Sequence, residues 1–430
     1  MTKISARDRL DKALERIRDP KGEGQRACLT LYEQAAIAAA DASDARRKAG
    51  VSLGPLDGVV ASIKDLFDVK GEPTRAASKT LVDAPPATED APIVQRLRAA
   101  GAVIVAKTNM SEFAFSGVGA NPHFGTPGNP ADRARVPGGS SSGAAVAAAD
   151  HMCDISIGSD TGGSTRIPAA LCGIVGYKPS KYRVPTEGAF PLSFSLDSIG
   201  PLARTVTDCA LADAVMAGEE PHAPEPAPVA GLRLGYLRSK SLLALDATVA
   251  AAWDKAVSAL GKAGAKIADR DVPLVEDMIA ANSTGGLVAP EAYFIHRERL
   301  KVRGEDIDPY VRLRLERGAN MGAADYVALC QTRIQLVRAM DAQMRDIDAF
   351  VMPTTPIVAP RLDEVATSET FAKKNMALLS YTSIFNFFDL CAISLPLRTE
   401  SLPVGLMLVA RNGRDHDLFR IAAGIEKVVC

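Results

Sequence analysis

The residues best suited to chemistry in this sequence are hydroxyls set among glycines. The run from Ile157, I-G-S-D-T-G-G-S-T-R-I-P-A-A-L-C-G, gathers Asp160, Thr161, Ser164 and Thr165 around Gly162 and Gly163. Acyl transfer uses such a layout: a serine oxygen attacks, and neighbouring backbone N–H groups hold the oxyanion that forms. The serine needs a base, yet the stretch contains no histidine and the whole chain has only five. Two further stretches offer help. Val136 to Asp150, V-P-G-G-S-S-S-G-A-A-V-A-A-A-D, sets three serines before an alanine-rich segment, and Gly54 to Val69, G-P-L-D-G-V-V-A-S-I-K-D-L-F-D-V, carries an apolar run into Lys64. Desolvation lowers the pKa of a lysine, and a neutral amine is a usable base.

Each stretch also has a structural reading. Lys64 reads equally as a strand-end lysine paired with Asp65 or Asp68. The serines from Ser140 read as N-caps whose oxygens satisfy free N–H groups. Their glycine-rich turn suits an anion, but the lysine of a phosphate-binding G-x-x-x-x-G-K-[ST] loop is missing. The 160–165 segment reads as a glycine turn closed by side-chain hydrogen bonds. His123 in N-P-H-F-G and His151 after the alanine segment invite a Ser-His-Asp arrangement, and Cys172 in A-L-C-G reads as a small core residue or a rival nucleophile. Taken together, a lysine, a serine cluster and a glycine-flanked serine are far more specific than any one alone.

Alternating helix-like and strand-like segments must position these groups, which favours an α/β fold. Leu10, Ala13, Leu14 and Ile17 share one face of a charged amphipathic N-terminal helix, which lacks the apolar core of a signal peptide. Asp90–Ala100 reads as a helix stopped by Gly101 and followed by the buried strand A-V-I-V-A-K. Asp246 to Gly264 reads as a helix with an aspartate N-cap, followed by a strand. Between them, residues 218–231 are rich in proline and acid and mark a surface connection. No stretch nears the ~20 apolar residues of a membrane span. A net charge of -1 gives no basic excess for nucleic acid, and seven scattered cysteines without C-x-x-C read as reduced thiols of a cytoplasmic protein. No metal site or cofactor motif is present in the sequence.

With these residues in view, the chain resembles the amidase signature family of amide hydrolases. The resemblance rests on V-V-A-S-I-K-D, P-G-G-S-S-S-G-A-A-V-A-A-A, S-D-T-G-G-S-T-R-I-P-A-A and G-I-V-G-Y-K-P-S, with support from A-K-T-N-M-S-E-F-A-F and D-A-F-V-M-P-T-T-P toward either end. It implies a Ser-cisSer-Lys triad: Ser164 as nucleophile, Ser140 as bridging serine after a cis peptide bond, and Lys64 as terminal base. It further implies an oxyanion hole from the N–H groups around Thr161, Gly162, Gly163 and Ser164. Ser141, Asp160 and Arg166 are then supporting residues, with a substrate-carboxylate clamp as the alternative role of Arg166. Residues 110–116, with Phe113 and Phe115, form either a pocket wall or core.

The implied fold is a single α/β amidase-signature domain over residues 1–430, a mixed central sheet covered by helices on both faces. Its catalytic core spans about 50–217, and 232–430 complete the sheet and pocket after the 218–231 connection. The implied activity is hydrolysis of a small-molecule amide by water, without cofactor or metal, in the cytoplasm, with a homodimer left open. The alternative is the ammonia-producing glutaminase subunit of a tRNA-dependent amidotransferase. That subunit carries S-S-N-L-x-R-F-D-G-x-R-Y-G in its second half, where this chain reads P-E-A-Y-F-I-H-R-E-R-L-K-V-R-G. The latter reads as a packing and ion-pairing helix and favours the stand-alone type.

Overall fold

The run Val60–Lys64 is apolar apart from Ser62 and its terminal lysine, and every residue in it is buried. Such a strand is at home only in the middle of a sheet covered on both faces. A computed structural model describes residues 4–430 and places it there. The eleven strands are β1 (Cys28–Leu31), β2 (Val60–Lys64), β3 (Val103–Thr108), β4 (Ile155–Ser159), β5 (Val175–Lys178), β6 (Ile199–Ala203), β7 (Arg233–Arg238), β8 (Lys266–Asp271), β9 (Ala349–Pro353), β10 (Cys391–Pro396) and β11 (Gly405–Ala410). They form one mixed sheet in the order β1-β3-β2-β4-β6-β5-β10-β11-β9-β7-β8. Parallel pairs β3-β2-β4 and β9-β7-β8 lie toward the two ends, with antiparallel pairing between them.

Alternation along the strands divides the core. Ala61, Ile63, Ile393, Leu395, Leu406 and Leu408 face one continuous apolar cluster. Their neighbours Val60, Val103 and Val105 face a second cluster, shared with Leu10, Leu14 and Ile17 of the N-terminal helix Ala6–Arg18. Ala392, Met407 and Val409 face a third, under the helix Ser368–Phe387. Helices therefore cover both faces, as expected.

The segments read from periodicity fold as helices Pro92–Ala99 and Ala247–Lys262, the second capped by Asp246 accepting from the Val249 N–H at 2.8 Å. Residues 219–229 contain no helix or strand, and the Ala227 N–H bonds Arg420 O at 2.9 Å. β10 pairs with β5 at Ala392–Lys178, so strands from before and after the connection share the sheet. Among the described residues no helix is long and apolar enough to cross a membrane.

Candidate active site

β2 and β4 are parallel neighbours in register at Ile63–Ile157, so their C-terminal residues Lys64 and Ser159 emerge side by side. Ligands of α/β sheets collect at such strand ends. The chain leaving β4 forms the 160–165 turn before the helix Arg166–Cys172, and Ser140 lies two residues before the first residue of the helix Ser142–Ala149. Lys64 Nζ, fully buried, donates to Ser140 Oγ at 2.7 Å and to Ser159 Oγ at 2.8 Å. The Gly139–Ser140 peptide bond is cis. A side chain on Gly139 would fall 2.6 Å from the Gly119 nitrogen, so only glycine fits.

The structural reading of Lys64 therefore does not hold. Asp65 accepts from the Ala77 N–H at 2.9 Å and Asp68 lies on the Thr74 hydroxyl, while the lysine turns to the serines. Nor do the serines cap their helix: Ser141, at the N-cap position, makes no capping bond and donates to Ser159 O at 3.3 Å. Ser164 lies across from this cluster, its carbonyl accepting from the Ser141 N–H at 3.3 Å, and its side chain borders a cavity of about 520 Å³. Among the described residues the Ser140 and Ser164 hydroxyls form no hydrogen bond with each other; the two loops are joined through the Ser141 N–H and the Ser164 carbonyl.

Asp160 organises the turn. Its buried carboxylate accepts from the Gly163 N–H at 2.8 Å, Thr165 N–H at 3.1 Å, Thr165 Oγ1 at 2.9 Å, Asn386 Nδ2 at 2.8 Å, and Arg166 Nε and Nη2 at 3.0 Å. Burial alone would raise its pKa. The Arg166 guanidinium, with the bonds from Arg166 and Asn386, reverses that and holds the carboxyl well below the usual range. Arg166 is itself fully enclosed and spends its remaining donors on Thr382 O, Asn386 Oδ1 and Met407 Sδ. Its donors are thus taken up within the protein, which favours the supporting role over a clamp for a substrate carboxylate.

The expected oxyanion set needs one correction. The Gly163 N–H already belongs to Asp160, because the carboxylate that pins the turn takes the nearest donor. The N–H groups of Thr161, Gly162 and Ser164 have no acceptor among the described residues. Gly163 is still required: its φ is +131°, and a Cβ would fall 2.1 Å from Thr382 Oγ1.

Burial pushes the Lys64 amine down to about 7, against the opposing pull of the Asp160 and Asp197 carboxylates. At neutral pH a substantial fraction is therefore uncharged. The histidines are elsewhere. His123 Nε2 lies 3.2 Å from Glu112, His151 is exposed, and none of the five borders the cavity among the described residues. Burial drives the Cys172 thiol far up, and Sγ donates to Pro137 O, as suits a core residue.

Phe115, Ser116 and Gly117 border the cavity, whereas Phe113 lies against His296 in the core, centroids 4.1 Å apart. The helix Val288–Arg303 is tied down through Glu291, which accepts from the hydroxyls of Ser193, Ser195 and Tyr326 at 2.5–2.8 Å. Ion pairs, as expected, add to this packing: Lys301 lies 2.9 Å from Glu298, and Arg303 lies 3.1 Å from Asp83 and 3.2 Å from Asp306.

Sequence reasoning missed Ser159, Thr382 and Asn386. The first ends a strand parallel to that of Lys64, so aligning strand ends would have found it. The other two are four residues apart in the helix Ser368–Phe387, hence on one face, and both reach the 160–166 turn.

A buried lysine bonded to two serines, and a further serine that follows two glycines at a cavity, lie together on an eleven-stranded α/β sheet, the arrangement expected of a serine-based amide hydrolase. The chain belongs to the amidase family, whose model, Amidase, matches residues 11–419. It is 38% identical over 402 residues to the 2-amino-5-chloromuconic acid deaminase of Comamonas testosteroni, covering 92% of this chain and 86% of that relative. It is 34% identical over 451 residues to a glutamyl-tRNA(Gln) amidotransferase subunit from Chloroflexus aggregans, covering 94% and 89%. A solved structure described as an amidase superposes with a TM-score of 0.88 at 34% identity, covering 99% of this chain and 97% of that one. The protein is an amidase.

Proposed function

We propose that this amidase works through an acyl-enzyme on Ser164, with Ser140 and Lys64 relaying the proton. The reading is carried by the 2.7 Å bond between Lys64 Nζ and Ser140 Oγ, at a lysine that burial brings to about 7. Ser164 Oγ attacks the amide carbon, its proton passes to Ser140 Oγ, and the Ser140 proton passes to Lys64 Nζ. A hydroxyl donates one bond while accepting another, so Ser140 never holds a net charge. The oxyanion faces the unoccupied N–H groups of Thr161, Gly162 and Ser164. Collapse breaks the C–N bond as the relay returns a proton to the leaving nitrogen. Water then cleaves the ester, giving the acid and the amine or ammonia. Ser141, Asp160 and Arg166 hold the two serine loops in place.

The catalytic core at about 50–217, the 218–231 connection and the completing half at 232–430 are the division we favour. A cytoplasmic setting accords with seven free cysteines, and a homodimer is the assembly to test first. A free-standing enzyme is preferred to an amidotransferase component because the second-half glutaminase motif is replaced by a packing helix.

The test is release of ammonia or amine by the purified chain from acetamide, aryl acetamides and ureas. Ser164→Ala should lower turnover by roughly 10⁴-fold or more while leaving the fold intact. The His123→Ala and His151→Ala variants should keep most of it. A Ser164→Ala enzyme with wild-type turnover would end the proposal, and activity seen only after adding partner proteins would favour the amidotransferase reading.

A further inference from the structure

The cavity beside Ser164 is walled by apolar and neutral side chains, among them Leu192, Leu196, Met278, Leu287 and Phe387. One charged side chain, Arg314, borders it among the described residues. Arg314 lies on the helix Pro309–Arg317, started by Asp308, whose carboxylate accepts from the Tyr310 N–H at 2.8 Å. Its helix neighbour Arg312 reaches Glu305 at 2.5 Å and Glu316 at 3.7 Å. Arg314 has no carboxylate partner among the described residues. Instead its Nη1 donates to Phe115 O at 2.6 Å, and its guanidinium lies 4.1 Å from the Phe115 ring centroid. The carbonyl and the ring orient the group without neutralising it.

A part-buried cation without a counter-ion is costly, and an anion entering the same cavity offsets that cost. Burial and the nearby Arg317 push the Arg314 guanidinium down to about 10, so it keeps its charge at neutral pH. A guanidinium has five N–H donors in a planar fork, and the bond to Phe115 uses one. The rest can meet both oxygens of a carboxylate. The wall offers no second cation, so the arrangement suits one carboxylate lying away from the amide that reaches Ser164.

We propose that Arg314 is the specificity-determining residue of the cavity and that the enzyme takes amides bearing a carboxylate, such as half-amides of dicarboxylic acids. The inference rests on Ser164 being the attacking residue. The substrate carboxylate seats on the Arg314 fork, its carbon chain lies along the apolar wall, and its carboxamide is presented to Ser164. Hydrolysis then yields a dicarboxylic acid and ammonia.

The test compares malonamate, succinamate, glutaramate and adipamate with their neutral diamides, in which a carboxamide replaces the carboxylate. The wild type should favour at least one half-amide in kcat/KM, with the gain in KM. Arg314→Gln keeps a donor for the Phe115 carbonyl but lacks the charge and the fork, and should collapse that anionic-to-neutral ratio by about 100-fold. Arg314→Lys should restore part of it. A wild type that turns over diamides as well as half-amides, or an Arg314→Gln variant whose ratio is unchanged, overturns the inference while leaving Ser164 chemistry standing. Turnover that survives Ser164→Ala overturns the mechanism, with the Arg314 ratio read separately. If neither class is hydrolysed, calorimetric binding of the half-amides to wild type and Arg314→Gln decides: binding lost in the variant supports the inference, and none to wild type overturns it.

Discussion

The two walls of the cavity are built differently. One is Thr161, Gly162 and Ser164, backed by buried and mutually bonded polar side chains of the segments from 139 to 166 and the end of β2: Lys64 to two serines, Asp160 to six donors. On the other, segments after the connection supply Met278, Ile279, Leu287 and Leu379, apolar groups held by packing alone, with Ile279 46% exposed. The first wall has one arrangement because any shift strands a buried donor or charge, whereas the second can change side chains at little cost. Geometry for a reaction common to a family belongs on the first, and selection among substrates on the second. The helix Ser368–Phe387 is the seam: Thr382 and Asn386 bond the turn, and Leu379 and Phe387 face the cavity.

Changes on the first wall should therefore be severe, Lys64 most of all. Lys64→Ala should cost several orders of magnitude in kcat, and Lys64→Arg should not recover it, because a guanidinium stays protonated and cannot take a proton. The wild-type pH profile gives the sign. The base must be neutral, and burial lowers its pKa to about 7, so kcat/KM should level off above that pH. Below it, activity should fall by about tenfold per pH unit as the amine becomes charged. A rate independent of pH between 5.5 and 9 would remove Lys64 from the relay.

Asp160→Asn comes next and touches no substrate. The amide presents an NH₂ to donors that now meet a carboxylate and leaves Arg166 buried without its counter-charge. Removing one partner of a buried pair costs roughly 3–5 kcal/mol, so thermal unfolding should move clearly downward. Turnover should fall with it, because the Gly163 and Thr165 N–H bonds fix the backbone on either side of Ser164. A variant that melts with the wild type would mean the turn does not depend on this carboxylate.

The same contrast explains what was legible beforehand. Helices and strands showed in local periodicity, as with Ala247–Lys262 and its Asp246 cap, and Lys64, Ser140 and Ser164 stood out because short motifs carry them. The distant partner of Asp160 did not, since Asn386 lies 226 residues away and nothing local marks it. N-capping by the 140–142 serines was a sound local expectation that tertiary structure displaced: a buried amine is a stronger claimant on Ser140 than a helix end. The Gly163 N–H was assigned to the oxyanion for the same reason, since its competitor is a side chain folded back over the turn. Arg314 was unreadable because its partners, a carbonyl and a ring at Phe115, lie 199 residues upstream.

The smallest effect belongs to the second wall and sharpens the contrast most. Ile279 borders the cavity while remaining half in solvent, so removing its outer carbons leaves no sealed void and should shift stability by less than about 0.5 kcal/mol. Any substrate chain it covers loses that apolar contact equally in the ground and transition states. Ile279→Ala should therefore raise KM, lower kcat/KM by roughly tenfold for substrates long enough to reach it, and leave kcat alone. Shorter amides should be indifferent. A fall in kcat with unchanged KM would instead tie this residue to the geometry around Ser164, and the separation of reaction from recognition across the cavity would fail.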